Sequence, residues 1–247
     1  MIYAIGDVHG QIRHLETALV RIWKDGGPDA TIVFLGDLTD RGPDSCAVLD
    51  LLAGERASHP NWVFVKGNHD RMFQWYLEPV PKHDLRLRLG LSWLDPRLGG
   101  DATLRSYGVD VREGRSQRDI HADARAAVPT THINFLTDMR LSHNLNDLLF
   151  VHAGIRPGIP LRKQKEEDLL WIRDEFLNDD RDHGKLVVHG HTIVETPCHC
   201  GNRVNLDGGA ARGREILPAV FEGADVFLLT QQGRQRIPAI SHPRETP

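Results

Sequence analysis

Short apolar runs, each stopped by glycine beside a polar side chain, set the rhythm of this chain. Ile2-Tyr3-Ala4-Ile5 leads into Gly6-Asp7-Val8-His9-Gly10, and Thr31-Ile32-Val33-Phe34-Leu35 into Gly36-Asp37-Leu38-Thr39-Asp40-Arg41-Gly42. Trp62-Val63-Phe64-Val65 leads into Lys66-Gly67-Asn68-His69-Asp70, Leu148-Leu149-Phe150-Val151 into His152-Ala153-Gly154, and Lys185-Leu186-Val187-Val188 into His189-Gly190-His191-Thr192. Runs this short and this apolar predict buried strands, and the glycine lets the chain turn sharply out of the sheet. Between the first two runs, Ile12, Leu15, Ala18, Leu19 and Ile22 recur at helical spacing until Gly26-Gly27-Pro28. Ala47, Val48, Leu51 and Leu52 predict a second helix from about Asp44 to near Gly54. Strand and helix in alternation give an α/β sheet with crossover helices. Ligands of such sheets bind beyond the carboxyl ends of the strands, so the five polar loops can converge on one place.

The rhythm fails between residues 71 and 140, where Pro79, Pro81, a basic run from Lys82 to Arg88 and a Gly99-Gly100-Asp101 break interrupt it. Residues 119–127 and 131–139 read as helices, separated by Val128-Pro129. An insertion of that length is expected to form a helical lid or side wall over the site. After a polar stretch at 156–168, residues 169–177 read mostly as packing. Runs at 185–189, 203–206 and 226–229 suggest a second sheet packed on the first. The tail at 236–247 holds three prolines and no apolar period, and reads as loose.

Composition adds limits rather than direction. The 247 residues, 40% hydrophobic and 26% charged, suit one domain of ordinary globular character spanning 1–247. A formal charge of −4 gives no footprint for nucleic acid or an anionic membrane. Three cysteines suggest no disulfide framework, and the first residues enter a strand with no signal-like region, so a cytoplasmic protein is expected. Cys198-His199-Cys200 lacks a second pair of ligands for a structural zinc site and reads as a loop; Cys46 reads as a small core residue.

The loops themselves carry the chemistry. Carboxylate, imidazole and amide oxygen together suit borderline cations such as Mn²⁺, Fe²⁺ or Zn²⁺. Asp7 and His9 can face one ion; Asn68, His152 and either His189 or His191 can hold another. Asp37 is the natural bridge between two ions about 3.5–4 Å apart, which would acidify a shared water into a nucleophile. Such a pair calls for a multi-oxygen anion, and phosphate fits. Arg41 offers a planar fork to its oxygens and Arg173 could do the same from the opposite side. His69 points away from Asn68 if that segment stays extended, which would place it to protonate a leaving alcohol with Asp40 orienting it.

Taken in order, Gly6-Asp7-Val8-His9-Gly10, Gly36-Asp37-Leu38-Thr39-Asp40-Arg41-Gly42, Gly67-Asn68-His69-Asp70, His152-Ala153-Gly154 and Gly190-His191-Thr192 resemble the motif set of the metal-dependent phosphoprotein phosphatases, within the calcineurin-like metallophosphoesterases. The resemblance implies an αββα sandwich with two central mixed β-sheets flanked by helices, two divalent metal ions, and single-step hydrolysis of phosphomonoesters by a metal-bridging hydroxide. It assigns Asp7, His9 and Asp37 to one metal, and Asp37, Asn68, His152 and His191 to the other. It makes His69 with Asp40 the acid pair, Arg41 a phosphate clamp and Arg173 a second phosphate arginine. Asp70 stands where the family usually has Glu. The implied enzyme is a Mn²⁺-dependent serine/threonine protein phosphatase acting on a phosphorylated protein or small phosphoester. The alternatives are a symmetrical dinucleoside tetraphosphate hydrolase, to which Asp40-Arg41-Gly42 is less similar, and a non-catalytic metal-binding scaffold.

Overall fold

The apolar runs become strands in the computed structural model, which describes residues 1–239. β1 (Ile2–Ile5) is followed by α1 (Ile12–Gly26), β2 (Thr31–Phe34), α2 (Ser45–Glu55) and β3 (Trp62–Phe64). The three strands pair in parallel, Ile2 opposite Thr31 and Ile32 opposite Trp62. Helix α1 buries Leu15, Ala18, Leu19 and Ile22, the positions its spacing marks. It ends because Gly27 takes a φ of 81° and returns its N–H to the Trp23 carbonyl.

The third loop departs from expectation, because Asn68 does not stay extended and instead begins α3 (Asn68–Tyr76). The Asp70 carboxylate accepts the Gly67 N–H at 2.9 Å and closes that helix end. Asn68 and His69 therefore diverge by a helical step of about 100° rather than by strand alternation.

The insertion contributes α4 (Gly100–Ser106), α5 (Gln117–Ala127) and α6 (Thr130–Asp138). The expected break at Gly99-Gly100-Asp101 is in fact a helix start, with Gly99 left-handed at φ 87°. Leu104, Ile120, Ala124, Phe135 and Leu136 join the core formed by Tyr3, Ile5, Phe34, Phe64 and α1. The insertion is thus packed into the helix-covered side of the first sheet.

The chain then forms β4 (Ser142–Leu145), β5 (Leu148–Val151), α7 (Glu166–Trp171), α8 (Asp174–Leu177), β6 (Leu186–His189), β7 (Cys198–His199) and β8 (Arg203–Asn205). These strands make a second, mixed sheet in the order β4-β5-β6-β8-β7. The end of the chain returns to the first sheet: β9 (Ala219–Glu222) pairs antiparallel with β1, and β10 (Asp225–Thr230) and β11 (Gly233–Arg236) extend it. The run at 226–229 therefore belongs to the first sheet, not the second, since β9 carries it across to the free edge of β1. Arg236 ends β11 and Ala239 bridges to His199, so the start of the expected loose tail is ordered; the rest of it, 240–247, lies outside the described residues.

Strand alternation divides the core. Ala4, Val33, Leu35, Val65 and Phe221 of the first sheet meet Phe150, Val188 and Val204 of the second. Leu149, Val151 and Val187 face the other way, onto Leu169, Ile172 and Phe176 around α7 and α8. Helices, sheet, sheet and helices stack as four layers, as the sequence leads one to expect. Among the described residues no helix is long and apolar enough to cross a membrane.

Candidate metal centre and phosphoester site

The loops after β1, β2, β3, β5 and β6 meet at one end of the two sheets. Val8 and His9 donate their backbone N–H groups to the Asp37 carbonyl at 3.0 and 2.8 Å, and Gly10 donates to the Leu38 carbonyl at 2.9 Å. His9, Asp37, Asp40, Arg41 and His191 all have φ between 47° and 72°; among the described residues Asn146 is the one other non-glycine residue with positive φ. Left-handed backbone costs a side-chain-bearing residue energy, and its gathering here marks a constrained site. Glycine beside the polar residues has a direct reason. A Cβ on Gly67 would lie 2.1 Å from Asp37 Oδ1, and one on Gly190 would lie 2.0 Å from Asp7 Oδ1.

Two donor groups share Asp37. His9 Nε2 lies 3.6 Å from Asp37 Oδ2 and 3.8 Å from Asp7 Oδ2. His152 Nε2 lies 3.3 Å from Asp37 Oδ1 and 2.9 Å from Asn68 Oδ1. His9 Nδ1 donates to the Thr39 carbonyl at 2.9 Å and His152 Nδ1 to the Leu35 carbonyl at 2.8 Å, which turns both Nε2 atoms toward the carboxylates. His191 completes the second group within 4.8 Å of Asp37 and His152, and its buried Nε2 has no hydrogen-bond partner. An orphaned buried nitrogen amid oxygen and imidazole donors, with no thiolate, fits a borderline divalent cation.

The electrostatics follow from crowding. Burial opposes ionisation of Asp37, but His152 and His69 hold it well below the usual carboxylate range. Burial also works against a charged His152, yet Asp37 raises it to about 9. Burial keeps His9 and His191 far below the ordinary histidine value. Asp7 is pushed well above the carboxylate range, first by burial and then by Asp207.

His69 also comes within 4.8 Å of His9 and Asp37; its Nδ1 donates to Asp40 Oδ2 at 2.7 Å and its Nε2 accepts from Arg41 Nη2 at 3.1 Å. Arg41 Nη1 donates to His9 Nε2 at 3.2 Å. Arg173 comes to the rim next to His191, donating to Thr192 Oγ1 at 3.2 Å. Asp70 serves in place of the usual Glu by accepting from Leu38 N and Gly67 N, both at 2.9 Å. Burial, then Asp37, raises it to about 6.

His189 and His191 do not share a face. β6 ends at His189, and His191 turns left-handed toward Asp37. His189 stays behind, its ring 5.2 Å from Phe176, its Nδ1 against the Gly190 carbonyl. Cys198 lies in β7 with Sγ 3.7 Å from Cys200 Sγ, outside the donor groups found among the described residues. Cys46 is only half buried, so it is not the core residue its helix position suggested.

Sequence reasoning missed four residues. Trp93 Nε1 and Thr103 Oγ1 donate to the two Asp40 oxygens, each at 2.7 Å, and Ser45 Oγ accepts the Asp40 N–H at 3.1 Å. Their positions carry no local signal. Asp207, only 2% exposed, did carry one: Val204-Asn205-Leu206-Asp207-Gly208 repeats the pattern of an apolar run, then Asp beside glycine.

The model of the calcineurin-like phosphoesterases matches residues 1–218. The asymmetrical bis(5'-nucleosyl)-tetraphosphatase PrpE of Anoxybacillus flavithermus is 27% identical over 227 residues, covering 87% of this chain and 89% of its own length. The protein of the same name from Bacillus velezensis is 30% identical over 234 residues, covering 86% and 85%. Among solved structures, the cold-active protein-tyrosine phosphatase of a psychrophilic Shewanella sp. superposes with a TM-score of 0.60 at 18% identity, over 96% of this chain and 80% of that one, a likeness of fold. Four layers, five loops at one end and a match over most of the length agree: the chain belongs to the calcineurin-like phosphoesterase family and is a hydrolase of phosphoesters.

Proposed function

We propose that the chain is a dinuclear-metal phosphoesterase in which Asp7, His9 and Asp37 hold one divalent ion, and Asp37, Asn68, His152 and His191 the other. One observation carries this reading: the two oxygens of Asp37 face different histidines, His9 at 3.6 Å and His152 at 3.3 Å. When bound, the ion pair, Mn²⁺ in our reading with Fe or Zn as alternatives, supplies Lewis acidity toward phosphate oxygens and an acidified water.

The chain's own residues do the rest. Arg41 presents its fork to the phosphate once the substrate replaces its contacts with His9 and His69, and Arg173 closes from the side of β6. Asn68 adds its amide to the phosphate. His69, fixed through Nδ1 by Asp40, takes a proton from water at Nε2 once Arg41 turns to the phosphate, and passes it to the leaving oxygen, worth about 10²–10⁴ in rate.

For the substrate we favour a nucleoside polyphosphate such as diadenosine tetraphosphate, supported by the activity named for the PrpE relatives. Serine/threonine phosphoprotein is the second reading, favoured by the Asp40-Arg41-Gly42 form of the second loop. Turnover of diadenosine tetraphosphate against phosphoserine peptides decides between them, with faster peptide hydrolysis overturning our choice. Chromatography of the products separates asymmetrical cleavage, giving ATP and AMP, from symmetrical cleavage, giving two ADP.

A further inference from the structure

A cavity of about 520 Å³ opens between α3, the loop that follows it and α5. That volume is within the range of small-molecule sites. Its walls include Met72 and Tyr76 of α3, Lys82 and Trp93 of the loop, and Gln117 and His121 of α5. Three rings form a corner: Tyr76 and Trp93 lie 4.7 Å apart, and His121 meets Tyr76 edge-on at 5.4 Å. His121 is fixed there through Nε2, 3.0 Å from the Glu78 carbonyl.

Tyr76 is 8% exposed, and its buried Oη has no hydrogen-bond partner. The ring corner of Tyr76, Trp93 and His121 beside the Gln117 amide suits a heteroaromatic ring better than a lipid chain, because a lipid leaves the amide unpaired. Lys82 and Asp84 both reach the rim, Lys82 paired with Glu78 at 3.1 Å.

Helix α3 links this cavity to the site. His69 lies in its first turn and Tyr76 seven residues on, about 10 Å along the axis. Trp93 belongs to both places, facing Tyr76 with its ring and Asp40 with its N–H. We propose that the cavity seats the base of a nucleoside phosphate. In taking that ligand for the far end of the substrate, the proposal rests on the phosphoesterase reading; a free nucleotide offers the same chemistry.

Calorimetry with adenosine, which lacks phosphate, tests the cavity alone. Adenosine should bind the wild-type protein, and Tyr76→Leu with His121→Leu should weaken it about tenfold or more, the scale of one lost base–aromatic stack. Tyr76→Phe, which keeps the ring and removes only Oη, should weaken it less, and guards against misfolding of the double variant. No binding to wild type, or equal binding to all three proteins, overturns the proposal. In kinetics, the ratio of kcat/KM for diadenosine tetraphosphate to that for p-nitrophenyl phosphate should fall about tenfold in the double variant. The aryl ring of the second substrate sits next to its phosphorus and cannot span 10 Å, so a parallel fall in both substrates would also overturn it. Competition by adenosine against diadenosine tetraphosphate identifies the substrate's own base as the occupant; binding without competition identifies a free nucleotide. Should the metal-supplied enzyme hydrolyse no phosphoester at all, the phosphoesterase reading fails while adenosine binding still decides the cavity.

Discussion

Trp93 donates its indole N–H to Asp40 Oδ2 at 2.7 Å, the same oxygen that receives the His69 Nδ1 proton at 2.7 Å. The insertion therefore reaches into the acid pair through one carboxylate. Trp93→Phe leaves that oxygen with one donor fewer and frees the carboxylate to tilt. We expect kcat to fall about tenfold with metal content unchanged, as checked by turnover and elemental analysis. His69→Asn should fall further, by about 10²-fold or more, again with metals retained. Undiminished turnover in His69→Asn would remove His69 from the mechanism.

Asp37→Asn should act differently. It takes the charge from the residue both donor groups share, and leaves His152 beside a neutral amide. Purified Asp37→Asn protein should lose bound metal and activity together. Full metal occupancy in this variant would contradict a bridging role.

Gly67→Ala tests the packing that makes the bridge. Its φ of −92° is open to alanine, so the objection is purely steric, a Cβ placed 2.1 Å from Asp37 Oδ1. Overpacking of that kind costs about 1–3 kcal/mol, visible as a lower urea midpoint, and the shifted Asp37 should weaken metal retention. Gly54→Ala, where a Cβ meets nothing within 4 Å, is the matched control.

The pH dependence of the metal-free protein can be read at His132 of α6, which belongs to neither donor group. Its Nδ1 accepts from Tyr107 Oη at 2.8 Å and its Nε2 faces Asp50 at 3.1 Å. Burial holds it below the ordinary histidine value despite Asp50. At this position the unfolded chain therefore binds a proton that the folded chain refuses, and the contribution of His132 to stability falls as pH drops below about 6.5. His132→Gln should remove this contribution, so that stability falls less, or rises more, on acidification than in the wild type; buried His9, His189 and His191 act in the same direction as His132, and His152 and Asp70, whose values are raised, act in the opposite one. Urea midpoints between about pH 7.5 and 5.5 provide the measurement.

The strand ends were legible because burial on both faces writes an apolar run and a sharp exit requires glycine. All ten residues expected at the site lie in or beside it; Arg173 and Asn68 needed the fold to show how they arrive there. Local pattern could not reveal that residues 226–229 return to β1, since an apolar run does not name its partner. Nor could it separate His189 from His191, which part because of one left-handed residue. Trp93 and Thr103 were invisible for a related reason: their meaning is a hydrogen bond across more than fifty residues of chain, inside a stretch with no period. Asp207 was readable and overlooked.

The return of β9 to pair with β1 has a consequence for any shortened form of the chain. β1 feeds directly into Asp7 and His9, and a molecule cut before Ala219 would expose its unpaired N–H and C=O groups along a bare sheet margin. Such a fragment would keep every proposed ligand yet invite strands from other molecules to dock beside them, so loss of function on trimming would reflect self-association rather than missing chemistry.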